Sequence, residues 1–195
     1  DFGDDTQMRS FKTDAKAAPG WSVDWKIDDK YGYVADNRDI HVKYTDHTEN
    51  AEASICEAWV DTGIYGEASE WIPRVMIRRK GDAGLESTFV SVIEPYEGAS
   101  KIAKIRKVPL DSGSGLALEI TRADGTTDVV LINDGKDPME IAARALTANG
   151  EVIFTHFDAD KAVQIHGANS ASIKVGDIEQ KDDDGNKSIQ WKRSE

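Results

Sequence analysis

The sequence is short of the residues that usually announce chemistry or a covalent framework. Among its 195 residues there is one cysteine, Cys56, so no internal disulfide can form. The neighbours Ile55 and Trp59 mark that thiol as a small buried side chain rather than a nucleophile. No apolar run approaches the roughly 18 residues that would span a bilayer. Positive charge is scarce as well: 24 Lys and Arg stand against 36 Asp and Glu, for a net charge of -12. A field of that sign repels nucleic acid and anionic membrane, and neither is expected as a partner. It would also repel a polyanionic sugar at long range, unless the local basic patch of Arg74, Arg78, Arg79 and Lys80 overrides it.

Motifs are equally sparse. There is no Gly-x-Ser-x-Gly elbow, Walker loop or Gly-x-Gly-x-x-Gly turn, and Gly113-Ser114-Gly115 reads as a flexible turn. A metal site needs several converging ligands. His41 and His47 with Asp46 offer too few, and His156 with Asp158 and Asp160 reads as an acidic strand end. The run Asp182-Asp183-Asp184-Gly185-Asn186 invites a calcium reading. With Gly185 at the sixth position of such a loop, however, Trp191 falls at the twelfth, where a bidentate Glu is required, so a tight turn is expected instead. No catalytic residue, no metal ligand and no cofactor is assigned.

What the chain does have is alternation. Residues 1–20 are polar, end in Ala17-Ala18-Pro19-Gly20, and are expected to form a poorly anchored leading segment. The start Asp1-Phe2-Gly3-Asp4-Asp5, with no initiator Met and no signal-peptide pattern, reads as the beginning of a domain within a longer polypeptide. From Trp21 to Ile27 apolar and polar residues alternate strictly, the mark of a half-buried strand with Trp21 and Trp25 on one face. Residues 40–44, 54–60 and 74–79 read as further strands. Residues 84–95 read as one long central strand, closed by Pro95-Tyr96-Glu97-Gly98 into a hairpin with 102–108.

Asp124-Gly125 lies between two apolar runs, 115–121 and 127–133, and predicts another hairpin. Asp137 and Pro138 could open a short helix over 137–146. The strand-like runs 152–157, 162–166, 172–175 and 188–192 favour a strand there instead. The pattern predicts an all-β fold, an antiparallel two-layer β-sandwich over residues 21–195 with at most one short helix.

Aromatic residues are the remaining route to a binding site, because sugars stack their apolar faces on Trp and Tyr rings. Trp59, Tyr65 and Trp71 flank a glycine-containing loop, the usual place for binding residues, with Arg74 just beyond; Tyr96 stands at the tip of the expected central hairpin. These five residues are the candidate carbohydrate contacts.

The stretch Gly-Leu-Glu-Ser-Thr-Phe-Val-Ser-Val-Ile-Glu-Pro-Tyr-Glu-Gly from Gly84 to Gly98 follows Trp71-Ile72-Pro73-Arg74 and Arg78-Arg79-Lys80-Gly81. Together they resemble the C-terminal β-domain of heparinase II/III-like polysaccharide lyases. The resemblance implies a non-catalytic β-domain that supports an upstream α/α toroid and lines part of a cleft for an acidic, uronate-containing polysaccharide. It also implies a bacterial, periplasmic or secreted parent enzyme acting by β-elimination. The family's catalytic Tyr and His lie on the toroid, and its metal ligands lie in a region without counterpart here, so no catalytic or metal residue carries over. An autonomous carbohydrate-binding module is the alternative, and a self-contained enzyme a third. A supporting domain should also expose an apolar docking patch, expected near Trp21 and Trp25 or between Trp59 and Trp71.

Overall fold

The structure is a computed structural model and describes residues 7–29, 32–33, 38–60, 70–135, 137–183 and 187–194. Among these described residues fourteen strands run in chain order: β1 (Met8–Ala17), β2 (Trp21–Lys26), β3 (Ile40–Asp46), β4 (Ala51–Val60), β5 (Glu70–Arg78), β6 (Ser91–Glu97), β7 (Ile102–Lys107), β8 (Gly115–Arg122), β9 (Thr127–Asn133), β10 (Met139–Ile141), β11 (Leu146–Asp158), β12 (Lys161–Val175), β13 (Ile178–Lys181) and β14 (Ser188–Lys192). The protein is all-β with antiparallel sheets, as a β-sandwich requires. The only helical element among the described residues is a single 3-10 turn, Ala142–Arg144. The chain divides into two compact units, Asp1–Ile27 with Val42–Pro95, and Asp28–His41 with Tyr96–Glu195.

The first unit contains the sheet β1-β4-β5 and most of a second sheet, β2-β3-β6. In β2 the alternation holds, with Trp21, Val23 and Trp25 half-buried and their neighbours exposed. Two expectations fail in this unit. Residues Met8–Ala17 are a strand paired with β4 from Met8↔Ala58 to Ala17↔Ala51, although their polar composition suggested an unanchored segment. An edge strand needs only its backbone to pair, so exposed polar side chains do not forbid it. Residues 84–90 lie outside any strand, and the strand proper starts at Ser91. The Val90 N–H instead donates to Thr48 Oγ1 at 3.0 Å, and its carbonyl accepts from the His47 N–H at 2.7 Å. A loop satisfies there what a ladder would have satisfied.

The expected hairpin between 84–95 and 102–108 is also absent. β6 lies at the edge of β2-β3-β6, whereas β7 pairs with β8 through Ile105↔Ile120 and Arg106↔Glu119. Pro95 has no N–H to offer a β7 partner, and β8 gives β7 both an aliphatic neighbour and a carboxylate for Arg106. The edges at β5 and β7 are blunted by Pro73 and by Lys104, Arg106 and Lys107, which discourages chain-to-chain pairing.

The second unit is built on the long β11–β12 ribbon. Its buried residues are Leu146, Ala148 and Gly150 at one end of β11 and Ile153, Thr155 and Phe157 at the other. The inward parity changes at Glu151 and Val152, both exposed, and the partners opposite them, Ala168 and Asn169, are exposed as well. Both strands therefore turn a corner at the same level. The ladder slips between Asn149 and Gly150, where Ala171 is the extra residue on β12. Asn169 adopts φ 47° and donates to Glu151 Oε2 at 2.7 Å, fixing the outside of the bend.

The corner divides the sheet into two layers. β9 and β14 flank the half of the ribbon beyond the corner, and β10 and β13 flank the other half. One core joins them: Met139, Ile141, Leu146, Ile173 and Val175 cluster with Val129, Leu131, Ile153, Phe157, Ile165 and Ile189. Strands that switch layers through bends and bulges are how two sheets share a core when they fold over each other. The segment that could have opened a helix forms β10, the 3-10 turn and the start of β11, because alternate burial of Met139 and Ile141 outweighs the Asp-Pro start signal.

Candidate carbohydrate-contact surface

Two of the five candidates meet. The β4–β5 ladder runs without a slip from Glu52↔Arg78 to Val60↔Glu70, and it places Trp59 directly opposite Trp71. Residues opposite each other in such a ladder project to the same face with β-carbons about 5 Å apart. Trp59 is 45% exposed, unusual for so large an apolar side chain. The guanidinium of Arg9, from β1, lies 4.1 Å from the centroid of the Trp71 ring. Its Nε donates to Glu57 Oε2 at 2.9 Å, and the Ser10 hydroxyl donates to the same oxygen at 3.1 Å. The hydrogen bond from Arg9, then that from Ser10, holds the Glu57 carboxyl below the usual carboxylate range. The surface thus offers a broad indole face, a fixed cation and a fixed carboxylate, a set suited to an apolar sugar face and its hydroxyls.

Arg74 and Tyr96 do not join this surface. Arg74 pairs with Cys56, an odd number of positions from the tryptophans, and so projects from the opposite face. There it lines a groove of about 760 Å³ with Met8, Ala58 and Met76, and Trp59 borders the same groove. Tyr96 belongs to the second unit and stacks on His41, with ring centroids 5.0 Å apart and planes at 15°. Tyr65 lies outside the described residues. Of the expected apolar patches, Trp21 and Trp25 are half-buried, while Trp59 keeps its exposure.

Sequence reading missed Arg9 and Glu57, because nothing in residues 1–20 signals that they form the strand beside β4. It also gave no sign of the partner of His156. That ring's Nδ1 lies 2.6 Å from Oδ1 of Asp128, its direct neighbour across β9–β11, while Arg122 Nε donates to the other oxygen of Asp128 at 2.8 Å. Asp160 instead accepts from Arg144 at 3.3 Å. Asp46 accepts from the Thr48 N–H at 3.0 Å and from the hydroxyls of Tyr44 and Thr48. In the acidic run near the C-terminus, Asp182 Oδ2 accepts from the Lys187 N–H at 2.9 Å, and the expected turn through Asp184, Gly185 and Asn186 lies outside the described residues. Among the described residues no three His, Cys, Asp or Glu side chains converge as a metal would need.

A second missed cluster surrounds Glu119, which is nearly buried at the margin of the core. Arg106 reaches it at 2.7 Å and Arg144 at 2.6 Å, and the Arg144 guanidinium also lies 5.2 Å from the Phe157 ring centroid. Both arginines are held by this one carboxylate.

No family model, no curated protein and no solved structure matches this chain.

Proposed function

We propose that this chain contacts polysaccharide without cleaving it, as the β-domain that accompanies the α/α toroid of a heparinase II/III-like lyase. The observation that carries the reading is the Trp59–Trp71 pair on the open face of β4–β5, with Arg9 and Glu57 beside it. In that role the domain supports the toroid and lends the pair to one side of a cleft for a uronate-containing chain. Arg9 and Glu57 present paired opposite charges beside the rings, able to donate to and accept from sugar hydroxyls.

The autonomous carbohydrate-binding module has its own support: Trp59, Trp71, Arg9 and Glu57 all belong to one unit, so the surface is complete within this chain. Affinity electrophoresis in gels containing alginate, heparin or pectate separates the two. Retardation of the chain alone, lost in Trp59→Ala and Trp71→Ala, supports the module. No retardation alone, but restored binding and turnover when a lyase toroid is supplied, supports the accessory domain. Release of unsaturated product by this chain alone sinks both.

A further inference from the structure

We propose that a second groove in the first unit, at the other end of the β1-β4-β5 sheet, binds an acidic peptide segment. The groove, of about 630 Å³, is lined by Lys16, Arg78 and Lys80, by Glu52 from the middle strand, and by Ala17, Pro19 and Ala51. β1 and β5 flank β4, so Lys16 and Arg78 stand on strands about 10 Å apart, two inter-strand spacings. That width admits one extended chain.

The cations are placed in advance. Glu52, largely shielded from solvent, accepts from Arg78 Nε at 3.1 Å, from Arg78 Nη2, and from Lys80 Nζ at 3.0 Å. The hydrogen bond from Lys80, then that from Arg78, holds its carboxyl below the usual range. One carboxylate cannot exhaust these donors. Arginine carries five N–H groups and lysine three, so both retain donors for a ligand carboxylate. Asp14 Oδ1 accepts from the Lys16 backbone N–H at 3.0 Å. Lys16, Arg78 and Lys80 lining the groove against Glu52 reverse locally the sign of a chain with net charge -12.

The walls select the ligand. No aromatic ring lines this groove, so a pyranose has no face to stack on, in contrast to the Trp59–Trp71 surface. Small methyl and proline surfaces in the same lining fit a peptide backbone whose Asp or Glu side chains reach the three cations. The inference is independent of the polysaccharide reading, because the two surfaces share no residue.

Fluorescence anisotropy of a labelled hexaglutamate peptide, titrated with the full chain at low ionic strength, tests it. Saturable binding is expected, weakening as salt is added. The double variant Arg78→Gln/Lys80→Gln should bind about tenfold more weakly, the loss of two partly exposed charge contacts. Lys16→Glu, which leaves the Glu52 ion pairs intact, should weaken binding as well, and Trp59→Ala should not. Absence of saturable binding, or unchanged binding by either groove variant, overturns the proposal. So does hexagalacturonate displacing the peptide at lower concentration than unlabelled hexaglutamate, which would make the groove a glycan site.

Discussion

Gly150 and Ser170 face each other across the β11–β12 ladder so closely that a β-carbon on Gly150 would lie 2.1 Å from Ser170 Oγ. Gly167 presses on the same side chain, with 2.5 Å between its would-be β-carbon and Ser170 Oγ. The Ser170 hydroxyl donates to the Ala168 carbonyl at 3.1 Å, so it is held and cannot swing aside without losing that bond. These contacts set how tightly the ribbon folds over the shared core.

Gly150→Ala should therefore destabilise the protein by about 3 kcal/mol, the upper part of the range for overpacking a filled interior. Ser170→Gly on the same background should recover part of that loss, because the serine's β-carbon and hydroxyl supply the nearest atoms. Urea unfolding of both single variants and the double completes the cycle. Additive effects would show that the two residues do not set the corner together.

The Glu119 cluster predicts an acid limb. Burial is the largest influence on this carboxyl and works to raise its pKa, but the hydrogen bonds from Arg144 and Arg106 together outweigh it and leave it below the usual range. A carboxyl that titrates lower in the folded state than in the unfolded one contributes stability that is fully present above its unfolded pKa, near 4.3. That contribution fades as pH falls through the folded value. Glu119→Gln should cost about 2 kcal/mol at neutral pH and flatten the decline below about pH 4.3. Asp160→Asn, at a carboxylate 98% exposed, should leave the thermal unfolding curve where it was. An acid limb of the same depth in Glu119→Gln would assign it to other groups.

Arg9 covers one face of Trp71. Arg9→Ala should raise the accessibility of that indole, seen as stronger acrylamide quenching of tryptophan emission, with a stability loss under about 1 kcal/mol for an exposed cation–π contact. Quenching equal to that of the parent chain would mean that the guanidinium does not rest on the ring in solution.

Cys56 is buried in β4, and burial pushes its thiol pKa up. The thiolate is the reactive form, so a disulfide reagent at mildly alkaline pH should modify the folded protein far more slowly than the protein in urea. Equal rates would show that β4 opens freely around the thiol.

Much of this fold was legible because strand alternation is a local property. The Trp21–Lys26 strand, the hairpin around Asp124-Gly125 and the closing strand Ser188–Lys192 follow from neighbours along the chain and hold in the structure. The opposition of Trp59 and Trp71 was half legible: both were singled out as flanking one loop, and a regular ladder then brings them face to face. Arg74 was grouped with them on proximity in sequence, yet strand parity sends it to the other side.

The sequence by itself determined the all-β class, through period-two alternation and turn residues, and the acidic charge, through composition. Only the tertiary structure decided which strands pair. β6 and β7 are adjacent in sequence but lie in different sheets, because a ladder is chosen by what each edge offers in hydrogen bonds and burial across the whole fold. The same holds for the partners of Arg9, Glu119 and His156, which come from 48, 25 and 28 positions away. Contacts at that range leave no periodic trace in either partner, since each side chain reads locally as one more exposed charge.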